Sequence, residues 1–323
     1  MNPMRDQILS LPALIREVWP QADTAARSLL STDRCRALER VILTGCGDSH
    51  HAALGAELAF ESLAGLPTEA LTALHMSRYT APFLPPARPE TRLVVGISAS
   101  GEVARTAEAL MLARSAGTTT MALTGAPGSR LSRAADLTLP VPTPVFPAPR
   151  GTVTPGVRNY AASLLGLFAL ALRLGEGRGR LAADEAAALR AEVAGLADSA
   201  EATLAACDPA ARALAADWAD SGEFAFVGGG PNFGTALFSA AKVLEASGDT
   251  AYGQEMEEWA HLHYFARATA TPTFFISAGE RDLSRAAEVA LAARTIGRRV
   301  AAICPPGAGS LTAAAHRVLP LLA

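Results

Sequence analysis

Two neighbouring turns in the first half of this 323-residue chain carry hydroxyl groups and glycines where apolar runs end. They are residues 45–49 (Gly-Cys-Gly-Asp-Ser) and residues 98–102 (Ser-Ala-Ser-Gly-Glu). Hydroxyls and backbone N–H groups at the start of a helix form an anion-binding site, and glycine lets the backbone approach a ligand closely. An ordinary helix cap needs only one hydroxyl, whereas these turns offer three. The residue types therefore favour a phosphate site over a simple cap.

A second set of residues has the chemistry for proton transfer. Lys242 and Glu245 are three residues apart, as are Glu258 and His261, so each pair would share one helix face. A carboxylate near a cation and a histidine is what acid/base catalysis requires. Lys242 is also the single lysine among 28 basic residues. Two solvated helices with charge pairs would show the same spacing, and from spacing alone that plainer interpretation is the better one.

Several other chemistries fit the residues poorly. The glycine turns at 45–50 and 228–233 have His50 and Phe233 where a dinucleotide fingerprint needs a third small residue, which argues against NAD. Residues 96–100 lack the closing glycine of a nucleophile elbow. His261 and His263 are two apart and would point to different faces of a helix, so no metal site is predicted.

The elements around these turns alternate between strands and helices, which predicts an α/β fold with doubly wound parallel sheets. The pattern recurs in the second half, where residues 228–230 and 277–280 repeat the two turns at spacings of 183 and 179 residues. Two copies in register indicate a tandem duplication of one unit. The turn at 277–280 lacks one hydroxyl, so we expect a degenerate copy that keeps the helix cap and has lost the ligand.

The domain organisation follows from this repeat. We predict an N-terminal helical lead-in over residues 1–33, a first domain over 34–175 and a second over 176–323, with Ala-rich helices linking them at 181–219. The polar stretch 175–180 is the candidate break. Residues 252–268 are charged and aromatic, with no counterpart of similar character in the first half, which marks them as a candidate functional segment.

Composition narrows the partners. A net charge of −3 and a pI near 6.1 lack the basic footprint of nucleic-acid binding. The longest apolar stretch, residues 161–172, is shorter than the roughly 18–20 residues that span a bilayer, and the N-terminus lacks the apolar region of a signal peptide. The four cysteines show no metal-ligand spacing. We therefore expect a cytoplasmic protein that binds neither nucleic acid nor membrane.

Taken together, these motifs resemble the double sugar isomerase (SIS) domain family, which includes the isomerase half of glucosamine-6-phosphate synthase and related phosphosugar isomerases and deaminases. The resemblance covers essentially the whole chain. Residues 45–49 resemble the family's first turn, and residues 98–102 resemble its Ser-x-Ser-Gly-Glu phosphate loop. Residues 242–245 and 258–261 resemble its Lys-x-x-Glu and Glu-x-x-His segments, with the family's 16-residue gap between Glu245 and His261.

The resemblance implies two flavodoxin-like SIS domains and a homodimer with a shared active site, without cofactor or metal. Glu245 would move a proton between C1 and C2 through an enediol or enolamine, and Lys242 would lie near the substrate hydroxyls. His261, from the neighbouring subunit, would help to open the sugar ring. The implied phosphate-binding residues are Gly47, Ser49, Ser98, Ala99, Ser100 and Val103.

Three departures from the family pattern limit what the resemblance implies. Ala99 stands where the family often has Gln, and Val103 where it often has Thr, so Arg105 or Thr106 would have to assist phosphate binding. The synthase's lysine near the C-terminus has no counterpart, and no glutaminase domain accompanies the motifs. We therefore expect a glutamine-independent isomerase or deaminase for a hexose or aminohexose 6-phosphate. A non-catalytic phosphosugar sensor is the alternative.

Overall fold

The computed structural model describes residues 2–85, 88–147, 154–267, 269–279 and 281–322. The chain divides into two compact units. Unit 1 comprises Met1–Thr152 and Gly156–Ala197, and unit 2 comprises Val153–Pro155 and Asp198–Ala323. The SIS-domain boundary between residues 175 and 176 that the sequence suggests stays a prediction.

Unit 1 is built on a parallel five-stranded sheet of described residues in the order β2-β1-β3-β4-β5. The strands are β1 Arg40–Gly45, β2 Thr68–Thr72, β3 Arg92–Ile97, β4 Thr119–Thr124 and β5 Leu137–Pro140. The helices are α1 Pro3–Leu9, α2 Leu11–Leu29, α3 Thr32–Ala37, α4 Asp48–Ala64, α5 Ala73–His75, α6 Ala104–Ser115, α7 Arg130–Ala134 and α8 Val157–Gly177. The N-terminal helical lead-in is thus confirmed.

The core of unit 1 lies on both faces of the central strands. Every residue of β3 is buried, as expected for a parallel strand covered by helices on each side. Among the described residues, one helix, α8, is long and apolar enough to cross a membrane. At 21 residues it is longer than the apolar stretch 161–172 that the sequence analysis identified. Two thirds of that window (67%) is buried within the folded chain, as in the core helix of a globular unit.

Unit 2 repeats the same architecture. Its sheet has the order β10-β9-β8-β6-β7. Read from the other edge and numbered from the first strand of unit 2, this order is 2-1-3-4-5, the same as in unit 1. The strands are β6 Glu223–Gly228, β7 Thr250–Glu255, β8 Pro272–Ile276, β9 Arg299–Cys304 and β10 Arg317–Pro320. The helices are α9 Ala183–Asp217, which begins in unit 1, α10 Pro231–Ser247, α11 Met256–His261, α12 Leu283–Thr295 and α13 Gly309–Ala314.

The repeat extends to backbone detail. Gly47 and Gly230 precede α4 and α10 with φ, ψ of 53°, −127° and 52°, −127°. The amide N–H of Ser98 donates to Leu123 O at 3.1 Å, and that of Ser277 donates to Ile303 O at 3.1 Å. The doubly wound α/β fold and its duplication are therefore confirmed.

In unit 2, β7 and α11 occupy the place that β2 and α5 have in unit 1. The functional importance expected of the charged and aromatic segment 252–268 stays a prediction. The region 181–219 is one 35-residue helix rather than several. Within the polar stretch 175–180, α8 runs through Gly177, and the Arg178 guanidinium donates to the carbonyls of Ala64, Cys35 and Leu38.

Candidate functional site

The phosphate loop predicted at residues 98–102 is a preformed turn in unit 1. Ser98 is 2% exposed at the end of β3, and its Oγ accepts a hydrogen bond from the Gly101 amide at 3.1 Å. Ser100 is exposed, and its Oγ accepts from the Glu102 amide at 3.3 Å. Gly101 has φ of +67°, a conformation that favours glycine. The turn is therefore held by its own hydrogen bonds, with the Ser100 hydroxyl at the surface.

The first turn lies at the neighbouring strand end. Gly47 adopts a positive φ of 53° and lets α4 begin at Asp48 directly after β1. The Ser49 amide donates to Cys46 O at 3.2 Å, which fixes the bend. β1 and β3 are adjacent parallel strands, so both turns emerge at the same edge of the sheet. This is the position at which open parallel sheets bind ligands.

The two turns enclose a cavity of about 220 Å³ in unit 1. It brings together five of the six predicted phosphate-binding residues: Ser49, Ser98, Ala99, Ser100 and Val103. Gly47 shapes the turn beside it but is not in the lining, and neither Arg105 nor Thr106 lines it. Arg105 pairs with Glu108 on the surface of α6, and Thr106 is buried with its hydroxyl 3.8 Å from the Cys46 sulfur.

One wall of the cavity was missed by sequence reasoning. Gly156, Asn159, Tyr160 and Ser163, at the start of α8, form this wall, and Asp48 of the first turn completes the lining. The Ser163 hydroxyl donates to the Asn159 carbonyl at 2.9 Å. The available signal was the pair of polar residues, Asn159 and Ser163, four apart in a mostly apolar helix, since such residues share one helix face.

The second predicted set lies in unit 2. Lys242 on α10 is 4% exposed, and its Nζ donates to Glu245 Oε2 at 2.6 Å. The ammonium also lies 5.1 Å from the centroid of the Phe238 ring. The Glu245 side chain is 45% exposed. A buried cation thus holds a carboxylate that remains accessible, an arrangement that suits a base acting on a bound molecule.

His261 forms a separate ion pair on α11. Its Nε2 lies 3.4 Å from Glu257 Oε1, and its side chain is 70% exposed. Arg285 donates to both oxygens of Glu257, at 2.7 and 2.8 Å, and this hydrogen bonding holds the pKa of Glu257 below its usual value. Trp259, fully buried against Phe275, anchors the helix. The structure therefore presents His261 outward from a fixed helix.

The degenerate copy of the phosphate loop in unit 2 is closed by a carboxylate. Ser277, at the end of β8, donates to Asp282 Oδ1 at 2.7 Å. The other carboxylate oxygen of Asp282, Oδ2, packs against Gly229 of the glycine turn that precedes α10. A Cβ added to Gly229 would lie 3.0 Å from this oxygen. The expectation that this turn keeps the helix cap is wrong, because the Asp282 side chain makes no cap hydrogen bond to α12. Glu280, the last residue of that turn, lies outside the described residues.

Comparison with known proteins agrees with this geometry. Residues 36–165 match the family model described as the SIS domain. Glutamine–fructose-6-phosphate aminotransferase (isomerizing) of Symbiobacterium thermophilum is 35% identical over 221 residues, which are 68% of this chain and 34% of that relative. The chain spans between about a third and two fifths of the length of the curated relatives it matches.

Two solved structures share the fold over nearly the whole chain. The C-terminal domain of glucosamine-fructose-6-phosphate aminotransferase from Francisella tularensis has a TM-score of 0.84 at 18% identity and covers 100% of this chain and 89% of that one. Glucosamine-6-phosphate deaminase from Thermotoga maritima has a TM-score of 0.68 at 18% identity, covering 92% of this chain and 83% of that one.

Tandem doubly wound units with a hydroxyl-lined cavity at one sheet edge define the class of fold. Residues 36–165 match the SIS domain, and the fold of the chain as a whole is similar to that of the two solved structures.

Proposed function

We propose that this protein is an aldose–ketose isomerase for a hexose or aminohexose 6-phosphate, and that its reaction is of the glucosamine-6-phosphate deaminase type. The observation that carries the proposal is the Lys242–Glu245 pair, a buried cation and an accessible carboxylate 2.6 Å apart. A protein that only binds a sugar phosphate needs no such pair. The similarity to the Symbiobacterium relative, an isomerizing aminotransferase of fructose 6-phosphate, supports the same chemistry.

In this proposal the phosphate is held by hydrogen bonds rather than by a basic side chain. The hydroxyls of Ser49, Ser98 and Ser100 and the backbone N–H groups of their turns would be the donors. Among the described lining residues none is Lys, Arg or His. Ala99 and Val103 would contribute their backbone and shape the wall.

The proton transfer is assigned to Glu245. After ring opening, with His261 as the acid/base group, Glu245 removes the C2 proton while a proton from the C2 ammonium group passes to O1, which gives an enolamine. Glu245 then returns its proton to C1. Water then adds to the resulting C2 imine, and ammonia leaves to give the 2-ketose. Lys242 keeps Glu245 in place and lies near the substrate hydroxyls. The exposure of His261 fits the expectation that it serves the site of a partner in a cytoplasmic homodimer.

The alternative is a non-catalytic phosphosugar sensor. One observation favours it: Val103 presents a 38% exposed apolar side chain to the cavity where the family pattern has a hydroxyl. A sensor would bind the sugar phosphate and leave it unchanged.

The test is the release of ammonia and ketose from glucosamine 6-phosphate. We expect turnover by the wild type and a loss of about 10²- to 10⁴-fold in kcat in Glu245→Gln, the range that a general base contributes. Glu192→Gln, which removes an exposed carboxylate on α9, is the matched control and should keep full activity. Binding without turnover would favour the sensor. Equal activity of Glu245→Gln and Glu192→Gln would remove Glu245 from the mechanism.

A further inference from the structure

The cavity in unit 1 contains a charge that phosphate binding does not explain. Among the described residues that line it, Asp48 is the one that is charged at neutral pH. Its side chain is 27% exposed, so the carboxylate is partly withdrawn from water. Hydroxyls and backbone N–H groups attract a phosphate dianion, whereas a carboxylate in the same 220 Å³ repels it.

The position of Asp48 is set by the fold. It is the first residue of α4, directly after the positive-φ Gly47. Its Oδ2 lies 3.9 Å from where a Cβ on Gly156 would be, and Asn159 Nδ2 lies 3.7 Å from the same point. Gly156 therefore leaves an opening flanked by a carboxylate and an amide. Two titratable groups are near it: His51, whose Nδ1 is 3.9 Å from Asp48 Oδ1, and Tyr160, which lines the same cavity.

We infer that Asp48 is a specificity-determining residue that selects a sugar phosphate carrying an ammonium group over one carrying a hydroxyl. This inference rests on the proposed function. A cationic amino group beside Asp48 offsets the repulsion between the carboxylate and the phosphate, and a neutral sugar cannot. Asn159 can hydrogen-bond to either sugar, so the discrimination is assigned to the charge of Asp48.

Glucosamine 6-phosphate and glucose 6-phosphate test this directly, since they differ only in the ammonium or hydroxyl at C2. Calorimetric titration at neutral pH and low salt should give the wild type roughly 10- to 100-fold tighter binding of glucosamine 6-phosphate. In Asp48→Asn that ratio should fall to about one. The two affinities should move in opposite directions, because the substitution removes an attraction for the ammonium and a repulsion for the phosphate.

Two further variants make the outcomes distinct. Asp33→Asn removes an exposed carboxylate from the first turn of α3, and it should leave the ratio unchanged. Ser100→Ala should weaken both sugars by the same factor. An unchanged ratio in Asp48→Asn, or equal weakening of both sugars, would overturn the inference and leave the isomerase proposal standing. Failure of the wild type to bind either sugar would overturn the proposed function and the inference with it.

Discussion

Replacing Gly101 with alanine tests whether the phosphate loop depends on this glycine. The residue has φ of +67°, and a Cβ added there would lie 2.0 Å from Ser129 Oγ and 2.4 Å from Ser129 Cβ. Two costs follow. A left-handed conformation costs an L-residue about 1–2 kcal/mol, and forcing extra atoms into a packed site costs about 1–3 kcal/mol. The expected loss in free energy of unfolding is therefore about 2–5 kcal/mol.

Gly117 provides a matched control in the same unit. Its φ is +76°, and a Cβ added there would meet nothing within 4 Å. Gly117→Ala therefore incurs the conformational cost alone, about 1–2 kcal/mol. The difference between the two variants isolates the overlap with Ser129 and Thr124. Adding Ser129→Gly to Gly101→Ala should recover most of that difference, because it removes the two closest atoms and leaves Thr124 Oγ1, which is 2.9 Å from the added Cβ.

Urea unfolding measures these free energies, and titration with inorganic phosphate measures the functional effect. Gly101→Ala should bind phosphate at least about tenfold more weakly, because the Gly101 amide that orders Ser98 must move. Gly117→Ala should bind it like the wild type. Equal destabilisation by the two substitutions, or unchanged phosphate affinity in Gly101→Ala, would refute the role assigned to Gly101.

Three more predictions concern stability. Arg178→Ala should lower the free energy of unfolding by about 2–4 kcal/mol in a urea titration, because three backbone carbonyls lose a charged donor. Burial lowers the pKa of His50, so the unfolded chain binds a proton at this residue more readily than the native state does. The native state therefore loses stability as the pH falls below about 6.5. His50→Gln should make the free energy of unfolding depend less on pH between pH 7 and 5. Asp282→Ala should lower the free energy of unfolding by about 1–2 kcal/mol and so lower the melting temperature. Inorganic phosphate should raise the melting temperature of this variant by more than it raises the melting temperature of the wild type.

Each of these has a control or a contrary result. Arg114→Ala, at an exposed site, should cost less than about 0.5 kcal/mol, and a similar cost for Arg178→Ala would contradict the stabilising role of its three hydrogen bonds. A His50→Gln variant whose stability still falls with the wild-type slope would show that another group titrates. If inorganic phosphate does not raise the melting temperature of Asp282→Ala by more than that of the wild type, the Asp282 carboxylate does not fill an anion site.

Sequence reasoning recovered those features that depend on local chain geometry. Buried strands such as β3 are continuous apolar runs, and glycine turns at their ends follow from backbone sterics. The Lys242–Glu245 pair follows from helical spacing. The short edge strands β5 and β10 escaped prediction, because four residues ending in proline resemble a loop as much as a strand.

The remaining features depend on tertiary packing. Asn159 and Ser163 line the cavity only because α8 packs with its polar face towards the end of the sheet, which no local pattern specifies. The Ser277–Asp282 hydrogen bond likewise joins residues whose roles the sequence leaves open, since aspartate before a helix ordinarily caps it. The polar stretch 175–180 resembles a linker by composition, yet Arg178 ties it to three carbonyls.

The Asp282 carboxylate bears on how many ligands one chain can hold. A group attached to the same unit as its acceptor site acts at an effective concentration on the order of millimolar or more. We therefore expect that sugar phosphates at micromolar levels do not displace it from this copy of the turn. Saturation should therefore come at one phosphate ester per chain, although the fold was duplicated.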